Sequence, residues 1–122
     1  MPIVIAEKKR FQGHIRPEAL NKETVIIEIP GESDDYIVEG YIDLRELQEG
    51  DEVGICEYIA VDGSTPSAFI CVTFRGRQEQ PVIRFHTKTL LSNMLYKVVL
   101  KQLYGYLREI YYGFIVEVMG TA

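Results

Sequence analysis

Apolar and polar residues alternate with period two over 24–29, 36–44, 52–61, 68–74 and 82–88. Successive side chains of a strand point to opposite faces, so each run predicts a β-strand. Turn-forming clusters separate the runs: Pro30-Gly31-Glu32-Ser33-Asp34-Asp35, Glu49-Gly50-Asp51, Asp62-Gly63-Ser64-Thr65-Pro66 and Arg75-Gly76-Arg77-Gln78-Glu79-Gln80-Pro81. Glycine supplies positive φ, Asp and Ser bond their own backbone, and Pro interrupts a ladder. Short strands at this spacing predict an antiparallel sandwich or barrel. The first 23 residues show no clear period and read as an extended arm, with a short edge strand at 2–6 or 11–15.

The pair of runs around Gly63 carries an internal check. Opposed residues of an antiparallel pair have a constant index sum. Val53, Ile55, Ile59 and Val61 share a face with Ala68, Ile70, Val72 and Phe74 only if that sum is odd, and an odd sum also leaves 62–67 for the turn. Glu57 interrupts this apolar face and requires a partner or an edge position. The other face carries Cys56, Tyr58 and Ala60 against Phe69, Cys71 and Thr73 and is also largely apolar. Two apolar faces imply a strand pair covered on both sides, or a face buried by another subunit.

The last third supports two readings. Tyr96, Leu100, Leu103, Leu107, Ile110, Phe114 and Val118 follow helical spacing, which would make the chain a β-sheet with one long C-terminal helix, an α+β fold. Gly105, Gly113 and the density of Tyr, Ile and Val oppose it. As strands, 96–103 and 107–119 alternate well, with Ile110, Tyr112, Phe114, Val116 and Val118 on one face. The preferred reading is a β-hairpin turning at Tyr104-Gly105-Tyr106.

The stretches Val38-Glu39-Gly40-Tyr41-Ile42-Asp43-Leu44, Gly50-Asp51-Glu52-Val53 and Glu57-Tyr58-Ile59-Ala60-Val61-Asp62-Gly63 carry a resemblance. Together with 96–102 and the segment up to Arg108 and Tyr112, they resemble small β-sandwich modules of uncharacterised archaeal and virus-linked open reading frames. The resemblance spans 36–118 and rests on strand-and-turn texture. It implies a structural, self-assembling role and strands at the C-terminus, and it transfers no catalytic residue. The closing turn departs from it, since smaller and more polar residues than Tyr104 and Tyr106 are expected there.

Charge changes the picture. The 122 residues carry a formal net charge of -5, with 47% hydrophobic residues, enough for one packed domain. Resolved along the chain, that total is +3 over 1–16, -12 over 17–62 and +4 over 63–122. Two accounts follow: basic segments pair with acidic ones inside one fold, or a basic arm meets the acidic surface of a neighbouring copy. A basic arm for nucleic acid is a third, disfavoured by the acidic total. No apolar run reaches the length of a membrane span, and the charges at the start follow the apolar stretch, the reverse of a secretory signal. The expectation is a cytoplasmic chain or one assembled into a particle, without membrane insertion.

Candidate chemistry is sparse. Arg84, His86 and Lys88 alternate on one strand as an anion-contact row. Tyr106, Tyr111 and Tyr112 are candidates for a stacking surface. Cys56, Cys71, His14 and His86 lack zinc-ligand spacing, and Glu32-Ser33-Asp34-Asp35 lacks that of a calcium loop. Cys56 and Cys71 fall opposite or diagonal to each other on the hairpin. Free thiols are the expected state in a cytosol, a disulfide in a thermophilic host. No phosphate-binding loop is present, nothing places a base beside Ser64, Thr65 or Ser67, and no cofactor or metal is indicated.

The expectation is an all-β fold: an antiparallel, jelly-roll-like β-sandwich over 24–122 with an N-terminal arm over 1–23. The expected role is a non-enzymatic structural protein forming homo-oligomers, such as a virion component or surface filament subunit, with other assembly proteins as further partners. Ile3, Ile5, Lys8, Lys9, Arg10 and Phe11 of the arm, with Tyr58 and Phe69 of the second face, are the candidate interface. The alternative is a ligand- or carbohydrate-binding β-sandwich.

Overall fold

A computed structural model describes residues 3–121; Pro2, the first residue of one expected edge strand, lies outside them. The described residues form eight strands and no helix: β1 (Ile3–Ile15), β2 (Glu23–Ile29), β3 (Tyr36–Asp43), β4 (Glu52–Ala60), β5 (Ser67–Arg75), β6 (Val82–Leu90), β7 (Leu95–Tyr104) and β8 (Ile110–Thr121). They build two four-stranded antiparallel sheets, ordered β1-β8-β3-β6 and β2-β7-β4-β5. Apart from β4 and β5, consecutive strands alternate between the sheets, which is the interleaving of a jelly roll. The β-sandwich expectation holds, and the helical reading of the C-terminal third does not.

The period-two pattern is the cause. Tyr36, Val38 and Ile42 of β3, Ile110, Phe114, Val116 and Val118 of β8, and Tyr96, Val98 and Leu100 of β7 all face the layer between the sheets and are buried. Val53 and Ile55 of β4 and Phe85 and Leu90 of β6 complete it. Two neighbouring strands of one sheet approach closely at one point, where Gly40 of β3 lies opposite Phe114 of β8. A Cβ on Gly40 would lie 2.2 Å from Phe114 Cδ2, so the alternating apolar series of β3 needs a residue without a side chain there.

Two expectations need correction. The N-terminal segment, expected as an extended arm with a short edge strand at 2–6 or 11–15, is one long edge strand. Residues 3–15 pair with β8 along their whole length, from Ile3 opposite Thr121 to Ile15 opposite Ile110. Its period is obscured because β1 is an edge strand that buries little: a bulge at Ala6 shifts the alternation, and only Phe11 and Ile15 pack against the core.

The C-terminal strands exist but form no hairpin. β7 lies in one sheet and β8 in the other. The connection crosses the edge of the sandwich because buried polar groups hold it there. Gln102, fully buried on β7, donates to the Tyr104 and Tyr106 carbonyls and accepts from the Arg108 amide. Asp51 accepts from the Tyr106 amide (3.0 Å), from Arg108 Nε (2.6 Å) and from the Gln48 amide (2.8 Å). Gly105, at φ +90, brings the chain so near Asp51 that a Cβ would sit 2.1 Å from Oδ1. The turn residues expected to close a hairpin instead form a corner.

Burial alone would raise the pKa of Asp51; Arg108 and the two amides outweigh it and hold the carboxyl below its ordinary value. A depressed carboxyl stabilises the fold above its unfolded value and loses that contribution as pH falls through the folded one. Asp51→Asn is therefore expected to lower stability at neutral pH by about 1–3 kcal/mol. In urea unfolding followed against pH, the difference from the wild type should narrow below about pH 4.

Candidate assembly surfaces

Part of the charge polarity is met within one chain. Four ion pairs join the basic flanks to the acidic middle: Lys9–Glu32 (2.8 Å), Arg75–Glu52 (2.5 Å), Lys88–Glu57 (2.9 Å) and Arg108–Asp51 (2.6 Å). His14 and Arg16 both contact Glu109. This is the internal-pairing account of the charge pattern. Exposed pairs of this kind contribute little each. The Asp51 and Glu57 pairs differ because both carboxylates are buried.

Glu57 points from β4 into the layer between the sheets and is 5% exposed. One of its oxygens accepts from the Tyr96 hydroxyl at 2.6 Å and faces the Lys88 ammonium at 2.9 Å. Lys88 comes from the opposite sheet and also lies 4.9 Å from the centre of the Tyr96 ring. Burial, reinforced by Glu57, pushes the Tyr96 phenol far above its ordinary range, so it stays a donor. The partner that the sequence demanded for Glu57 is thus a lysine from across the sandwich.

That lysine belonged to the expected anion row, and the row does not survive. β6 carries a bulge, with His86 and Thr87 set against Glu39 alone. Before it Arg84 points outward opposite Tyr41; after it Lys88 turns inward opposite Val38. The expected tyrosine platform is likewise dispersed. Tyr106 is on the exposed β7–β8 corner, 78% exposed. Tyr111 lies on the outer face under Arg45, 4.0 Å from its ring centre. Tyr112 faces inward against the core, because neighbours on a strand point to opposite faces. Among the described residues, no group of three or more His, Cys, Asp or Glu could hold a metal ion.

The free edges are β1 and β6 in one sheet and β2 and β5 in the other. Of the interface candidates, Ile3 and Ile5 are exposed on the outer stretch of β1, Lys8 and Arg10 flank it in solvent, Lys9 is held by Glu32, and Phe11 packs on the core. Tyr58 is half-buried on the outer face of β4, with the Lys97 ammonium 5.4 Å from its ring centre. Phe69, 53% exposed, is the extra residue of a bulge in β5: the odd register runs from Val53–Phe74 to Glu57–Ile70, then slips to Tyr58–Ala68.

Cys56 and Cys71 are directly opposed and joined by a disulfide, Cα–Cα 4.1 Å. Free thiols were the expectation; the register brings the two side chains together on the outer face, where Val25, Val99, Cys56 and Cys71 form one row across the sheet. Between β5 and β6 the sandwich gapes into a cleft of about 180 Å³ lined by Ile70, Val72, Phe74, Ile83 and Phe85, with Glu57 also in its wall.

No protein-family model and no curated protein matches the chain by sequence. Solved structures do match its fold. A chain from Bacillus endospore appendages, described as a family of disulfide-linked pili, is 16% identical with a TM-score of 0.60, covering 95% of this chain and 88% of that one. The infectious bursal disease virus Gt strain structure gives 11% identity and a TM-score of 0.50, covering 96% of this chain but 33% of the viral one. These likenesses define the class as an eight-stranded β-sandwich domain.

Breaking a buried ion pair from one side strands the other charge and costs about 3–5 kcal/mol, whereas replacing both partners by apolar residues is close to neutral. Lys88→Met alone is accordingly expected to destabilise strongly, and Glu57→Leu with Lys88→Met to recover most of that loss. Chemical denaturation of the single and double variants measures both.

Proposed function

We propose that the chain is a non-enzymatic structural subunit that assembles with copies of itself into a filament or a particle shell. The observation that carries this reading is β5. It is a nine-residue edge strand whose residues are exposed save for a half-buried Phe74, with Phe69, Ile70 and Val72 at 53%, 39% and 45% exposure. Natural sheet edges are guarded by charge, proline or cover, and an unguarded apolar edge is a surface for another chain. The fold likeness to the pilus chain and to the chain of the virus structure supports the same reading, as do the exposed Ile3 and Ile5 of β1. Both cysteines of this chain are joined to each other, which leaves the contact between copies to the strand edges and exposed faces. A carbohydrate-binding role finds no support in the three dispersed tyrosines.

Multi-angle light scattering over a concentration series, with negative-stain microscopy of the concentrated sample, tests the reading. Mass rising with concentration to discrete oligomers or filaments is expected. A mass fixed at 14.0 kDa up to the limit of solubility would overturn it.

A further inference from the structure

The four free edges differ in charge. β1 carries Glu7, Lys8, Lys9 and Arg10, β2 carries Glu23 and Glu28, and β6 carries Arg84 on its outer face, its Lys88 being turned inward to Glu57. Placed antiparallel against its own copy, each of these brings charged side chains into the contact, where like charges directly opposed are unfavourable. β5 carries no charge until Arg75, its last residue. Among the four, β5 is the edge that tolerates itself.

The backbone allows the same pairing. In an antiparallel ladder, closely opposed residues about 4.5 Å apart direct their N–H and C=O groups away from each other, while widely spaced ones exchange hydrogen bonds. Cys56 and Cys71 are 4.1 Å apart, so the N–H and C=O of Cys71 point to the free edge. Thr73, two residues on and still in register opposite Gly54, presents its own in the same direction. A two-fold axis through Cys71 then gives a hydrogen-bonded pair at the centre and overlaps residues 69–73 of each strand in phase, up to the bulge at Phe69.

Faces also agree. Centred on Cys71, Ile70 meets Val72 of the partner subunit on the inner side, and Phe69 meets Thr73 of the partner subunit on the outer side. A shift by one residue would set inner side chains against outer ones. The contact continues the sheet β2-β7-β4-β5 into that of the second copy and brings cover to the half-exposed Ile70 and Val72 at the cleft.

We infer that β5 pairs antiparallel with β5 of a second copy about a two-fold axis at Cys71, forming one continuous eight-stranded sheet. This rests on the self-assembly reading and names its first contact. Such a dimer is isologous and closes on itself, so longer assemblies grow through other surfaces.

Thr73→Pro tests the contact directly. It removes a donor that the β4–β5 ladder does not use and places a ring on the free edge, where proline is tolerated. Association measured by analytical ultracentrifugation should weaken roughly a hundredfold while the circular dichroism stays that of the wild type. A charge pair decides the matter if proline disturbs the fold. Copies with Ile70→Lys and Val72→Lys, and copies with Ile70→Glu and Val72→Glu, should each associate less than the wild type alone and regain association when mixed. Thr73→Pro copies that fold and associate like the wild type, or mixed charge variants that fail to pair, would overturn the β5 contact. Wild-type protein that never associates would overturn the self-assembly reading itself.

Discussion

Each sheet is completed by one of the last two strands. β7 lies between β2 and β4, and β8 lies between β1 and β3, so neither sheet is continuous until the C-terminal third of the chain has been inserted. Only β4 and β5 pair as sequence neighbours. Loop-closure entropy must be overcome before most ladders form, which makes this a fold of slow, long-range pairing. The corner between β7 and β8 is where the chain is directed from one sheet to the other. A fully buried Gln102 and a nearly buried Asp51 satisfy its backbone groups, and Arg108 neutralises the aspartate. Insertion of the last strands also fixes which edges remain open.

A second polar group sits where an apolar one would pack more simply. Glu57, Lys88 and Tyr96 tie β4, β6 and β7 together across the interior. Desolvating two charges offsets much of their attraction, so the cluster is a weak source of stability. Its geometry is nonetheless selective, because the bulge in β6 that turns Lys88 inward matches a carboxylate from the other sheet at one register only. It also lies beside the cleft between β5 and β6.

Strand identity was legible because burial on one face imposes period two. The segments expected at 24–29, 36–44, 52–61, 68–74 and 82–88 agree with β2 to β6 within two residues at each end. The partner for Glu57 was demanded by chemistry, though its identity depends on sheet packing that spacing does not encode. The parity of the β4–β5 register was also readable, up to the bulge at Phe69. β1 was obscured because an edge strand buries few residues. The hairpin assigned to the C-terminal strands failed for a different reason: alternation identifies strands but not their partners, and the signal for crossing lies in Asp51 and Gln102, remote from the turn or silent in it. The cationic row of Arg84, His86 and Lys88 failed because alternation cannot foresee a bulge.

The proposed assembly rests on what the fold leaves unpaired. Four ion pairs meet part of the charge polarity inside the chain, and on that reading the neutral β5 edge is the stronger basis for association. Residue-resolved amide hydrogen exchange, compared between dilute and concentrated protein, tests this most directly. The amides of Cys71 and Thr73, which face the open edge, are expected to exchange rapidly in dilute solution and to become protected on association. Amides that stay rapid in β5 while β1 or β2 gains protection would contradict the account.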